Sequence, residues 1–295
     1  AGISDMRMLL PYKILKTREA HIPENLYQIC VDGFLGGHSG MDIHLPRLNS
    51  VKEIFHIIEK LRSYKGFKLY SIPKSASCLF TVEASQGIAE WLSELTESMR
   101  NTEPGASVRF TQKQAEAPLN PYTDDGVHML ADIVNSLRHG VIAMDEHTEG
   151  LVKTSVNLAR LYEAEECFEI WCCFRSSVDS DMIEGRQQLE RLAAAYGGKL
   201  ITAFFETGWE RNTESTLVPY VVKCYRETLG EEPRVEGIHA GLECGCWARN
   251  IPEADIVSMG PTLIHPHTTG ERAELASLEK YVRLVEAIVT GIGDI

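Results

Sequence analysis

Apolar residues change period several times along this chain, and each change predicts an element. Strand-forming runs at 6–10 and 12–15 lead to a polar turn at Pro23-Glu24-Asn25 and a further run at 26–31. Val51, Ile54, Phe55, Ile58 and Leu61 then recur at helical spacing behind Asn49 or Ser50, either of which can cap the helix. Short strands follow at 67–72 and 77–84, parted by Pro73-Lys74, then a helix with Ile88, Trp91, Leu92, Leu95 and Met99 on one face, then a strand at 107–112. This order of strand, helix, strand, strand, helix, strand is that of a split βαβ unit, with two helices over one face of an antiparallel sheet. A similar unit starts again: a helix through Val127, Leu130, Ala131, Val134 and Leu137 stops before Gly140, strands follow at 154–164 and 167–174, then a helix at 182–196 and a strand at 199–205.

From about residue 206 the texture changes. A helix at 216–229, strands at 234–238 and 255–260, and a closing helix at 275–289 carrying Leu278, Val282, Val285 and Ile288 alternate with glycine-rich loops, as in an open α/β sheet. The fold class is therefore α/β: two consecutive α+β layers, about 1–120 and 121–205, and then an incomplete α/β segment at 206–295. About two βα units are too few for a parallel sheet, so the remaining strands are expected from another chain, or the polypeptide is a fragment.

Composition narrows the class of partner. A formal charge of −13 with no basic cluster excludes a nucleic-acid footprint. No apolar run approaches the roughly 20 residues needed to span a bilayer, and the first residues lack a signal-peptide pattern, so a soluble, cytoplasmic chain with no membrane partner is expected. The eight cysteines include no CxxC pair and no zinc-type Cys/His spacing; they read as reduced thiols, several of them inside apolar strands.

Three clusters carry candidate chemistry. His38 stands among Gly33, Gly36, Gly37 and Gly40 directly after a strand, a glycine density that displays the imidazole instead of packing it. His239 and Glu243 flank Gly241 in a second loop, and His265 and His267 bracket Pro266 in a third. Imidazoles in such loops suit general acid–base work or metal ligation. The His265/His267 pair is the best metal candidate, although for two histidines at this spacing an ordinary surface loop is the commoner reading. HExxH and GxSxG are absent.

Gly36-Gly37-His38-Ser39-Gly40 with Asp42-Ile43-His44, then Thr154-Ser155-Val156-Asn157, Phe174-Arg175-Ser176, the run from His239 to Gly245 (HAGLECG), and Ser258-Met259-Gly260-Pro261 with Pro266-His267 follow one another in order. In this the chain resembles the aminoacyl-histidine (Xaa-His) dipeptidases, within the larger family of zinc-dependent aminopeptidases, aminoacylases and carboxypeptidase G. The resemblance implies a lid and dimerisation-type domain at 1–205, a return into the catalytic domain at 206–295, two divalent metal ions of the zinc type, a dipeptide substrate and a homodimer. It matches His267 to the last metal-ligand histidine and His38 to the lid histidine that steadies the oxyanion. Arg175 is matched to a lid arginine that pairs with a substrate carboxylate. His239 and Glu243 are expected to line the substrate site, with no individual role carried over.

The departures are as informative. The family's HxD motif, bridging Asp and Glu-Glu pair have no counterpart here; Tyr70-Ser71-Ile72-Pro73-Lys74 stands where relatives read Asn-Ala-Ile-Pro-Arg, and Lys153 where a Glu is common. The expectation is thus part of a metallodipeptidase, without its N-terminal catalytic half and inactive alone. The competing expectation is a non-enzymatic dimerisation or binding module derived from such a lid.

Overall fold

Strict alternation builds the first strand. The computed structural model describes the whole chain apart from Ser75, Pro266, His267, Thr268 and Ile295 and the side chains of Pro73, Lys74 and Asp294. In β1 (Gly2–Pro11) every second residue is buried, Met6, Met8 and Leu10 among them, as period-two geometry requires of a strand with one face on a core. There follow β2 (Leu26–Asp32), α1 (Ser50–Leu61), β3 (Lys68–Lys74), β4 (Ser77–Thr81), α2 (Ile88–Arg100) and β5 (Ser107–Lys113). The four strands β3-β4-β2-β5 form an antiparallel sheet in that order. Asn49 caps α1, its side chain accepting from the backbone N–H of Val51 and Lys52.

The second layer contains α3 (Asp124–Ser136), β6 (Gly140–Met144), β7 (Val152–Glu163), β8 (Cys167–Ser176), α4 (Asp179–Ala195) and β9 (Lys199–Glu206). Its antiparallel sheet runs β6-β7-β8-β1-β9, so β1, placed with the first layer on sequence order, sits instead between β8 and β9. Sequence order does not encode that return, because β1 satisfies its ladder with strands more than 150 residues downstream. Helix α1 touches β2 and β4 of one sheet and β7 of the other, and one continuous core, including Phe55, Ile58, Phe80, Leu130 and Phe168, joins both layers. The fold is mixed α and β with antiparallel sheets, as the pattern predicts.

Beyond β9 the chain holds α5 (Leu217–Leu229), α6 (Cys244–Asn250), a two-residue ladder of β10 (Leu263–Ile264) with β11 (Arg272–Ala273), and α7 (Leu275–Gly291). The expected strands at 234–238 and 255–260 are not formed. Asp255 instead turns its carboxylate onto the start of α5, where it accepts from the backbone N–H of Thr216 and Leu217 at 2.8 Å each, and Ser258 to Gly260 lie exposed with no ladder partner among the described residues. The run at 12–15 is likewise a short 3-10 turn, Tyr12–Ile14, and not a strand.

Candidate substrate-binding site

The glycine loop after β2 is pinned at both ends by one carboxylate. Glu103, fully buried, accepts from the backbone N–H of Leu35 at 2.9 Å and of Leu48 at 3.2 Å. Between these anchors Gly36 takes φ +65°, a left-handed conformation that favours glycine, and His38 lies exposed. The His38 backbone N–H donates to Asp42 Oδ2 at 2.7 Å. Its ring Nδ1 accepts from the N–H of Gly40 at 3.2 Å and of Met41 at 2.9 Å, which puts the proton of the neutral ring on Nε2. His38 is therefore oriented as a hydrogen-bond donor.

The last residues of β8 bring Arg175 against this loop. Its side chain is only 8% exposed, and Nε and Nη2 both donate to Ser39 Oγ, at 3.2 and 3.1 Å. In register beside it on β7 stands Ser155, whose Oγ lies 2.7 Å from His239 Nε2. His239 is 5% exposed, and burial, reinforced by the N-terminal ammonium and then by the Arg175 cation, lowers its pKa to about 4, so the ring is neutral at pH 7. The two loops meet at Gly40, where an added Cβ would lie 2.1 Å from the His239 carbonyl oxygen. Three segments far apart in sequence thus converge on one corner.

Other candidates fall elsewhere. Glu243 is exposed immediately before α6 and does not cap it through its side chain. His267 lies outside the described residues, and His265 is exposed with φ +52°. Among the described residues no group of three or more His, Cys, Asp or Glu side chains is placed to hold a metal ion, so these residues alone do not fit a two-metal centre.

Sequence reading singled out neither Ser39, Ser155, Glu103 nor His139. His139 shares with His38, Asp42, Asn49 and Asn157 the lining of a cleft of about 230 Å³. Its Nδ1 accepts from the Leu158 N–H at 3.3 Å, and burial followed by the Lys52 cation lowers its pKa. Ser39 and Ser155 lie inside the quoted motifs, but a hydroxyl's role depends on the partner that folding delivers.

With its fold and this convergence of loops, the chain can be set beside known proteins. No family model matches the chain. Over 284 residues it is 26% identical to the cytosol non-specific dipeptidase of Escherichia coli (strain K12), a match covering 90% of this chain and 58% of that protein. The structure superposes on the crystal structure of aminoacylhistidine dipeptidase from Vibrio alginolyticus with a TM-score of 0.77 and 25% identity, over 97% of this chain and 61% of that one. The chain is a homologue of these dipeptidases and shares their fold, and it spans about three fifths of their length.

Proposed function

We propose that these residues form the substrate-gripping part of a metal-dependent dipeptidase of the Xaa-His type, with 1–205 as the lid and 206–295 as a segment of the catalytic domain. The observation that carries this is the convergence of His38, Arg175 and His239 at one corner. A buried guanidinium is suited to a substrate's terminal carboxylate, because its fork matches two oxygens at once. The Nε2–H of His38 is suited to the oxyanion that develops when water attacks the scissile carbonyl. His239, neutral and bonded to Ser155, shapes the wall of the site. Two divalent ions of the zinc type, with His267 among their ligands, would activate that water in the complete enzyme.

The 295 residues by themselves are inactive in this reading, because the acidic ligands and general base are supplied by a further polypeptide that completes the catalytic domain. Support comes from α7, where Leu275, Leu278, Val282 and Val289 are exposed along one helix. No described helix is long and apolar enough to cross a membrane, and a cytoplasmic homodimer is the setting we assign. The second reading, a non-enzymatic pairing module, draws on β9, an edge strand with Phe204 and Phe205 exposed.

Metal analysis and a dipeptidase assay on this chain, alone and after adding the polypeptide encoded immediately upstream, test the proposal. Turnover only in the second sample is expected; tight stoichiometric zinc with turnover in the first would overturn the division of labour, and none in either would favour the pairing module. In the active sample Arg175→Ala should raise KM at least about tenfold for free dipeptides with little change in kcat, the loss of one charge-assisted pair. An equal rise for amide-capped dipeptides would remove the carboxylate role.

A further inference from the structure

The contact between Arg175 and Ser39 is unusual for a buried guanidinium. Nε and Nη2 form the edge of the fork that takes a carboxylate through two parallel bonds, yet here both share one neutral oxygen, Ser39 Oγ, at 3.2 and 3.1 Å. Among the described residues no carboxylate comes within ion-pair distance of this cation. A buried charge without a counter-charge is a costly arrangement, and two oxygens at charge-assisted distances would satisfy it better than one shared hydroxyl.

Ser39 is also the residue next to His38, in the middle of a loop whose ends are fixed by Glu103. The loop is open on its first side, where Gly36 has φ +65° and nothing lies within 4 Å of where its Cβ would be, and is held on its far side at Gly40, which abuts the His239 carbonyl and serves as the pivot. The turn from His38 to Asp42 is held together internally, by His38 N–H to Asp42 Oδ2 and Asp42 N–H to the His38 carbonyl at 3.0 Å, so Ser39 and His38 shift as one piece.

We propose that Ser39 is a positioning residue whose hydroxyl stands in for the substrate carboxylate on Arg175, so that a carboxylate arriving there displaces it and moves His38 into its working position. The inference rests on the reading of Arg175 as the carboxylate clamp. It makes the oxyanion donor responsive to a terminal carboxylate and so selects for dipeptides over capped or longer peptides.

The test uses the isotopically labelled 295-residue chain, with glycylglycine and glycylglycine amide as probes. The Nε–H resonance of Arg175 and the ring Cε1–H resonance of His38, assigned from Arg175→Lys and His38→Gln spectra, are followed during titration. Glycylglycine should move both with one midpoint, and the amide should move neither. In Ser39→Ala glycylglycine should bind roughly 5-fold more tightly, because a competing hydrogen bond to the guanidinium is gone, while His38 no longer follows. An Arg175 signal that responds while His38 stays still in the unaltered chain would overturn the coupling and leave the clamp standing. A silent Arg175 would remove the clamp and the coupling together. Weaker binding in Ser39→Ala would make Ser39 a structural support only, and the titration of the unaltered chain decides the matter if that variant does not fold.

Discussion

Burial holds His239 neutral, and that fixes the sign of its effect on stability. The unfolded ring titrates near 6.5 and the folded one near 4, so between these values the unfolded chain binds a proton that the folded chain refuses. The contribution is complete above pH 6.5 and is lost as pH falls toward 4, amounting to at most about 3 kcal/mol. Denaturant unfolding at pH 7.5 and 4.5 should therefore show a larger loss for the parent chain than for His239→Gln, and equal losses would mean that the ring titrates normally. The identity of this residue as a candidate was legible from its glycine-rich loop; its neutrality was not, since that comes first from burial under segments far away in the sequence, and then from the cations of the N-terminus and of Arg175, the latter 64 positions away. His38 illustrates the complementary case. Its exposure follows from the surrounding glycines, whereas its tautomer reflects the N–H groups of Gly40 and Met41, a local turn that glycine-rich spacing permits without specifying.

Elements with a clear hydrophobic period were the legible ones. Val51, Ile54, Phe55, Ile58 and Leu61 are all buried on α1, and Phe168, Ile170, Cys172 and Phe174 alternate inward along β8. A strand also needs a partner, and apolar content alone cannot supply one, which is why 255–260 reads as a strand and ends up at the head of α5. Short β6 was missed for the opposite reason: five residues behind a glycine carry little pattern, and the ladder with β7 makes them a strand. How the two layers are fastened was equally invisible. Glu163, the last residue of β7, accepts from Ser71 Oγ at 2.6 Å, from the Ile72 N–H at 3.1 Å and from the Tyr122 hydroxyl, and pairs with Lys16 at 3.3 Å. Lys16 in turn lies over the Tyr12 and Tyr122 rings at 4.9 and 4.5 Å. Glu163→Ala should destabilise the chain by about 3 kcal/mol, because it strands a poorly solvated ammonium and two hydroxyls. Adding Lys16→Met to that variant should recover part of the loss, and strictly additive effects in the double-mutant cycle would show that the two side chains act independently.

At the scale of the whole molecule, burial is distributed very unevenly. The core that joins the two sheets draws on β1 to β4, β7 and β8 and on α1 to α4, with Val108 and Phe110 of β5 and Ile142 of β6 packed at its margin, whereas the core beyond β9 consists of Val221, Cys224, Leu284 and Ile288. Helices α5 and α7 close on each other over that small patch, with the Tyr220 hydroxyl donating to the Ile288 carbonyl at 2.9 Å, while Leu275, Val282 and Val289 of α7 face outward. Since each buried aliphatic side chain contributes roughly 1.5–3 kcal/mol, three of them and a cysteine, against the backbone and side-chain entropy of two helices, leave little net stability to that layer. Local opening follows such differences in burial. Native-state hydrogen exchange should therefore find the amides of β1, β7 and β8 protected up to the global unfolding free energy, and those of α5 and α7 exchanging through an opening that costs several kcal/mol less. Adding the polypeptide proposed to complete the catalytic domain should raise protection in α7 first, because its exposed apolar face is what the added surface would cover. Equal protection across both regions in the isolated chain would show that the α5–α7 layer is stable as it stands, and would remove the main physical reason for expecting a further polypeptide against it.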